Sequence, residues 1–213
     1  MSRIEQSLRR TRQSLLQFLT LRRTESRQPE QSQIFLQLLH GLATDYHAVN
    51  PGLRAHICEA QIGNAFGMKV IAWSQNLTAE RAAEIGVERV SKEDLFREAD
   101  IVSIHVVLSG RTRGVVGAAE LALMRPSARL VNTSRGPIVV EADLIAALTT
   151  GRIAGAAIDV FDQEPLPLDH PFRALPNMLA TPHIGYVSRG LYGRFYQDTV
   201  ENIHRWLNGQ TTG

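Results

Sequence analysis

The stretch RLVNTSRGPIVVEADLIAALTTGRIAGAAI, residues 129–158, decides the fold class of this chain. It begins and ends with short apolar runs, at residues 129–133 and 154–158, and a helical segment lies between them. Leu144 and Leu148 fall on one face of that segment, as in an amphipathic helix. A strand, a helix and a second strand in this order are typical of a βαβ unit with parallel strands.

The same alternation continues on both sides of this unit. Further short apolar runs stand at residues 69–72, 101–106 and 178–180. They do not alternate between apolar and polar residues, which indicates strands that are covered on both faces. Ser91 and Asp94 form a capping pair at the start of one connecting helix, and residues 188–207 are long enough for a final helix of five turns. The sequence predicts an α/β fold with a doubly wound, Rossmann-like parallel sheet.

The front of the chain has a different character. We predict that residues 1–60 form an atypical helical and linker segment, and that residues 61–213 form a dinucleotide-binding domain. Apolar residues at helical spacing predict a first helix within residues 4–19 and a second at 34–42, and the polar residues 22–33 indicate a linker.

Composition excludes several classes of protein. The chain has 213 residues, of which 44% are hydrophobic and 21% are charged, so it is a globular rather than a disordered protein. No apolar run approaches the roughly 18 residues that span a bilayer, so we expect no membrane partner. One cysteine, Cys58, can form no internal disulfide, which favours a reducing, cytoplasmic location. The histidines show no two-histidine metal spacing, so we expect no metal site.

Charge is distributed unevenly along the chain. Residues 1–60 contain 8 arginines, no lysine and 5 acidic residues, whereas the remainder contains 15 basic and 16 acidic residues. The larger part therefore lacks the basic field that a nucleic-acid-binding protein needs. Nucleic-acid binding or mitochondrial targeting through the arginine-rich front are the alternatives to a solvated helix there.

Four side chains with useful chemistry follow predicted strands. Arg135, Asp159, Glu164 and His183 should meet at one edge, because parallel strands end at the same edge of a sheet. Taken singly, each could be an ordinary loop residue. Together they suit the reduction of a 2-oxo acid: a guanidinium grips a carboxylate, an imidazole donates a proton, and a carboxylate orients the imidazole. The hydride must come from a cofactor.

Five ordered motifs carry a resemblance to a known family. They read AFGMKV at residues 65–70, ADIVSIH at 99–105, VNTSRG at 131–136, DVF at 159–161 with EP at 164–165, and TPHIG at 181–185. In order and spacing this part of the chain, from about residue 60 to 207, resembles the D-isomer-specific 2-hydroxyacid dehydrogenases.

The resemblance implies roles for particular residues. It implies that Arg135 binds the substrate carboxylate, that His183 is the acid and base, and that Glu164 holds it. It further implies a cofactor, NAD or NADP, a small 2-oxo or 2-hydroxy acid as substrate, and a homodimer. The residues implied at the cofactor are Ser74, Val107, Thr112, Thr133, Ser134, Asp159 and Gly185.

The chain also departs from the family pattern. The glycine-rich turn that meets a pyrophosphate should precede Gln61, but residues 51–60 read PGLRAHICEA. No acid follows the strand at residues 69–72, so NADP is permitted, with Arg81 as one candidate phosphate partner and a solvated arginine as the other interpretation. We therefore expect an NAD(P)-dependent oxidoreductase of 2-hydroxy acids, impaired by truncation. The alternative is an inactive remnant that acts as a binding or dimerising module.

Overall fold

A computed structural model describes residues 18–22 and 55–210, with side chains from residue 59 onward. Seven strands form one sheet within this part of the chain. They are β1 (Phe18–Arg22), β2 (Lys69–Trp73), β3 (Glu88–Arg89), β4 (Ile101–Ile104), β5 (Arg129–Asn132), β6 (Gly155–Ile158) and β7 (Met178–Ala180).

Helices connect the strands. They are α1 (Ala55–Ala65), α2 (Ala79–Glu84), α3 (Lys92–Glu98), α4 (Ala118–Leu123), α5 (Glu141–Thr149) and α6 (Arg189–Leu207), with 3-10 turns at Gly136–Ile138 and Pro171–Arg173. The predicted cap of α3 is present, because the Ser91 hydroxyl accepts a hydrogen bond from the Asp94 amide at 3.0 Å. Ser188 caps α6 in the same way. None of the described helices is long and apolar enough to cross a membrane.

The strand order β3-β2-β1-β4-β5-β6-β7 is that of a doubly wound sheet. Every described strand pair that excludes β1 is parallel, as the sequence predicts. The chain builds outward from β2 to β3 and then crosses to β4 on the far side of β1. The crevice between the two halves of the sheet therefore opens beside β1, at the carboxyl edge of the parallel strands.

Strand β1 is a correction to the sequence prediction. Phe18 and Leu19 fall in the predicted first helix, but they lie in a strand that runs antiparallel to both β2 and β4. Helical periodicity depends only on residues near in the sequence. It cannot predict the main-chain hydrogen bonds that a segment forms with two strands distant in the sequence. The rest of that predicted helix, the linker after Arg22 and the second helix at residues 34–42 lie outside the described residues.

The sheet is covered on both faces. All four residues of β4 are buried, and alternate ones belong to different cores. Val102 and Ile104 pack with Leu121 and Leu144, whereas Ile101 packs on the opposite face with Val70. This double burial explains why the parallel strands lack an apolar–polar alternation.

The division at residue 60 remains a prediction as a domain boundary. Helix α1 runs from Ala55 to Ala65 and so passes through it, and α1 packs against β1 and β2. The sequence prediction places the first part of α1, residues 55–60, in the helical and linker segment that precedes the domain. The element that leads into the parallel sheet therefore begins at least five residues earlier than expected.

Candidate active site

Three loops leave the sheet side by side at its carboxyl edge. The register pairs Asn132 with Ile158 and Ile158 with Ala180, so the loops after β5, β6 and β7 begin at one level. The Asp159 amide donates to the carbonyl of Asn132 at 3.0 Å, and the Thr181 amide donates to the carbonyl of Ile158 at 3.0 Å. The last ladder bonds of the sheet thus place all three loops next to one another.

The structure joins Glu164 and His183, which are 19 residues apart in the sequence. His183 Nδ1 lies 2.7 Å from Glu164 Oε2, and both side chains are about one-third exposed. Glu164 Oε1 accepts a second hydrogen bond, at 2.9 Å, from the Phe161 amide. The carboxylate is therefore held at both oxygens, and it fixes the orientation of the imidazole ring.

Neighbouring groups lower the pKa of Glu164. Partial burial raises the pKa of this carboxyl, but hydrogen bonds from His183 and the Phe161 amide outweigh that effect. The positive charges of His183 and Arg135 lower the pKa further. Glu164 is thus an anion at neutral pH, and Arg135 lies close enough for its charge to act on this pair.

Arg135 is presented by a turn that Asn132 organises. The buried Asn132 side chain donates to the Arg135 carbonyl at 2.9 Å and accepts from the Ser134 amide at 3.0 Å. The exposed Arg135 guanidinium donates to the Ser134 carbonyl at 2.6 Å. Sequence analysis missed Asn132 as an organiser, although an asparagine at a strand end is typical of such turns.

Asp159 holds the loop that carries His183. It is 3% exposed, and its Oδ1 accepts from the Thr181 hydroxyl at 2.5 Å and from the Ile184 amide at 3.0 Å. Its Oδ2 accepts from the Gly185 amide at 2.8 Å. His183 itself has φ +56°, a left-handed conformation that costs a non-glycine residue roughly 1–2 kcal/mol. The three hydrogen bonds to Asp159 offset this strain.

The other predicted cofactor residues lie along the same edge. The Ser134 hydroxyl donates to the Val106 carbonyl at 2.6 Å, and the Thr112 hydroxyl donates to the Val107 carbonyl at 2.7 Å. Thr133 directly precedes Ser134 and is half-buried. Val107 is 69% exposed, so an apolar side chain faces outward between these loops. Ser74 lies apart from this group, at the end of β2 on the other side of β1.

A buried polar cluster was not foreseen. Glu59 of α1 is 4% exposed, and its Oε2 lies 2.6 Å from His105 Nε2 and 3.2 Å from the Ser103 hydroxyl. The cluster ties α1 to β4. Among the described residues, no group of three or more His, Cys, Asp or Glu side chains could hold a metal ion.

A model of a known protein family matches more than half of the chain. The model of the D-isomer specific 2-hydroxyacid dehydrogenase NAD-binding domain matches residues 58–185. The chain belongs to this family. The site residues Arg135, Glu164 and His183 all lie within the matched part.

The chain matches only part of the length of several relatives in this dehydrogenase family. A glyoxylate reductase of Aeropyrum pernix is 44% identical over 151 residues, which is 71% of this chain and 45% of the relative. A phosphoglycerate oxidoreductase structure from Vibrio cholerae is 33% identical with a TM-score of 0.69, over 74% of this chain and 50% of that one. The NAD-complexed D-isomer specific 2-hydroxyacid dehydrogenase of Lactobacillus delbrueckii is 29% identical with a TM-score of 0.61, over 74% and 51%. The chain thus spans about half the length of these relatives.

Some described residues of this family member could hold the two ends of a dinucleotide. The exposed Val107 is an apolar surface on which a ring could lie, and the Ser134 hydroxyl bonds to the neighbouring Val106 carbonyl. Ser74, at the end of β2, lies where the fold places an adenosine ribose. Helix α1 precedes the parallel strand β2, so its first turn lies at this edge, where helix amides meet phosphates in such folds.

Proposed function

We propose that this chain binds a nicotinamide dinucleotide and reduces 2-oxo acids to 2-hydroxy acids. The observation that supports this most directly is the hydrogen bond between His183 and Glu164, within reach of the Arg135 charge. These three side chains supply the groups that the reaction needs in one crevice. The imidazole is the acid, the ionised carboxylate orients it, and the guanidinium binds a carboxylate.

Each side chain has one role in the proposed reaction. The Arg135 guanidinium binds the substrate carboxylate with two parallel hydrogen bonds. The Nδ1 atom of His183 is bonded to Glu164, so Nε2 is the atom that faces the carbonyl oxygen of the substrate. When bound, the reduced nicotinamide supplies the hydride. His183 gives its Nε2 proton to the carbonyl oxygen, while its hydrogen bond to Glu164 holds the ring in place.

Steady-state kinetics separate these roles. With glyoxylate as the simplest 2-oxo acid, we expect Arg135→Gln to raise KM about a hundredfold, because the substrate loses its charged anchor. We expect His183→Gln to lower kcat by about 10² to 10⁴ with little change in KM, because general acid catalysis contributes about that much. Arg97→Gln, on the surface of α3, removes the same charge and serves as the control. Equal losses of both parameters in both variants would contradict the assignment.

A second function is favoured by the surface of α6. None of the side chains of this nineteen-residue helix is buried. Its exposed apolar residues are Tyr192, Phe195, Tyr196, Val200, Ile203, Trp206 and Leu207. A non-catalytic protein that binds a partner, or pairs with a second copy as a homodimer, would use such a face.

Fluorescence of Trp73, at the end of β2, distinguishes the two functions. In a Trp206→Phe background Trp73 is the remaining tryptophan. We expect energy transfer from Trp73 to NADH or NADPH if the chain binds the cofactor. No change at millimolar cofactor, together with a concentration-dependent dimer in sedimentation, would instead favour the binding module.

A further inference from the structure

The end of β2 lacks the acidic residue that selects NAD. In dinucleotide-binding folds a carboxylate after the second strand binds the 2′-hydroxyl of the adenosine ribose and repels a 2′-phosphate. Here residues 73–76 read WSQN, and the Ser74 side chain is 1% exposed and accepts a hydrogen bond from the Asn76 amide. A neutral, small residue therefore occupies this position.

Two carboxylates of the adjoining elements have cationic partners, whereas Glu80, in the first turn of α2, is exposed. Glu84 of α2 pairs with Arg81 at 2.8 Å, and Glu88 of β3 pairs with Lys69 at 2.8 Å. Arg81, the phosphate partner that the sequence suggested, forms this exposed pair with Glu84, so a cation without such a pair is the better candidate for binding a phosphate.

Arg89 is such a residue, and its sequence position gives no hint of it. It lies on β3 and pairs with Ala72, near the end of β2. It is therefore close to the loop that follows β2. Its Nε donates a 2.6 Å hydrogen bond to the Leu77 carbonyl, which anchors the guanidinium against that loop. Among residues 59–210 the Arg89 guanidinium forms no ion pair, and its bond to Leu77 uses Nε rather than either terminal nitrogen.

We propose that Arg89 forms a subsite for a 2′-phosphate on the adenosine ribose, so that this chain prefers NADP(H) to NAD(H). The inference rests on the proposed function, because it concerns the same dinucleotide groove. A guanidinium that is already fixed at Nε loses little freedom when its two terminal nitrogens bind two phosphate oxygens. The loop that anchors Arg89 is the loop that carries the ribose in this fold.

Direct binding to the purified full chain tests the subsite without any turnover. Isothermal titration calorimetry compares 2′,5′-ADP, which carries the 2′-phosphate, with 5′-AMP, which lacks it. We expect 2′,5′-ADP to bind at least tenfold more tightly than 5′-AMP. A hydrogen bond to a charged group changes the affinity by about tenfold or more. Raising the salt concentration should weaken 2′,5′-ADP more than 5′-AMP.

Three variants identify the residue responsible. Arg89→Gln should weaken 2′,5′-ADP about tenfold or more and leave 5′-AMP within twofold. Arg89→Lys keeps the charge but not the planar fork, and it should show an intermediate loss. Arg81→Gln removes the neighbouring charge and should leave both ligands within twofold. Circular dichroism establishes that each variant is folded, and the Lys variant still tests the proposal if the Gln variant is not.

The outcomes separate this proposal from the proposed function. Equal affinity of the wild-type chain for both nucleotides, or an equal loss in the Arg81 and Arg89 variants, would overturn the Arg89 subsite and leave cofactor binding intact. If neither nucleotide nor NADH binds at millimolar concentration, both proposals fail.

Discussion

A single methyl group at residue 136 would collide with the main chain of Phe161. A Cβ built on Gly136 would overlap the carbonyl carbon and the carbonyl oxygen of Phe161. This contact presses the turn of Arg135 against the segment that follows Asp159. The close approach of two backbones, and not conformational freedom, is what requires glycine here.

We expect Gly136→Ala to destabilise the fold by about 2–3 kcal/mol, because neither backbone can yield without displacing the sheet edge. Denaturant unfolding measures this loss. Gly193→Ala is the matched control, since a Cβ at Gly193 in α6 has no atom within 4 Å and alanine favours a helix. Equal stability of the two variants would contradict the close packing at Gly136.

Individual site residues were predictable to different degrees. Arg135, Glu164 and His183 were suggested by their place after strands, because parallel strands share an edge. The work of Asp159 was not predictable, because its three hydrogen bonds go to a loop more than twenty residues away. Arg89 was missed for the same reason: its site arises from the register of β3 on β2. Their roles toward a cofactor remain predictions.

Among the elements, helices α3 and α4 are joined by a half-buried ion pair. Lys92 Nζ lies 2.7 Å from Glu120 Oε1, and Glu120 Oε2 accepts from the Gly117 amide at 2.9 Å. Burial raises the pKa of Glu120, but the hydrogen bonds from Lys92 and Gly117 outweigh it and the pKa is lowered. The folded pKa is below the unfolded one, so the stabilisation exists above the unfolded pKa and disappears as the pH falls through the folded one.

We expect Glu120→Gln to lower the free energy of unfolding by about 1 kcal/mol at pH 7. The difference from the wild type should shrink as the pH falls from about 5 towards 3, because a glutamate of ordinary pKa in the unfolded chain takes up a proton in this range more readily than Glu120 in the folded protein. Urea unfolding across this pH range measures it. Glu93→Gln, an exposed carboxylate of α3, is the control. A difference that stays constant down to pH 3 would contradict the ionic contribution.

The elements of the parallel sheet were predicted well and β1 was not. The runs at residues 129–133 and 178–180 match β5 and β7 to within one residue, because continuous apolar runs mark strands buried on both faces. The predicted strand at 101–106 is two residues too long, since β4 ends at Ile104 and the Val106 carbonyl accepts a hydrogen bond from the Ser134 hydroxyl instead. Strand β1 lies between β2 and β4, which are distant from it in the sequence. No local sequence pattern predicts that pairing.

For the whole molecule, the direction of β1 changes how the chain reaches the phosphate end of the groove. Phe18 pairs with Trp73 and Ile104, so β1 begins at the carboxyl edge of its parallel neighbours and runs away from it. In the usual arrangement the central strand ends at that edge and continues through a glycine-rich turn into the first helix. Here β1 cannot form that connection. The antiparallel direction of β1 and the lack of a glycine-rich motif in residues 51–60 are thus two departures at the same place in the fold.

Strand β1 is nevertheless central to the sheet, so its removal should be costly. Thr20 lies between Ile71 of β2 and Val102 of β4. Proline at this position lacks the backbone N–H that a central strand must donate, and we expect Thr20→Pro to lower the free energy of unfolding by about 2–4 kcal/mol. Thr20→Val keeps the donor and the β-branched shape, so it should stay within about 0.5 kcal/mol of the wild type. Urea unfolding of the full chain measures both. If the two variants unfold at the same urea concentration, β1 does not pair with β2 and β4, and another segment must satisfy the facing edges of those strands.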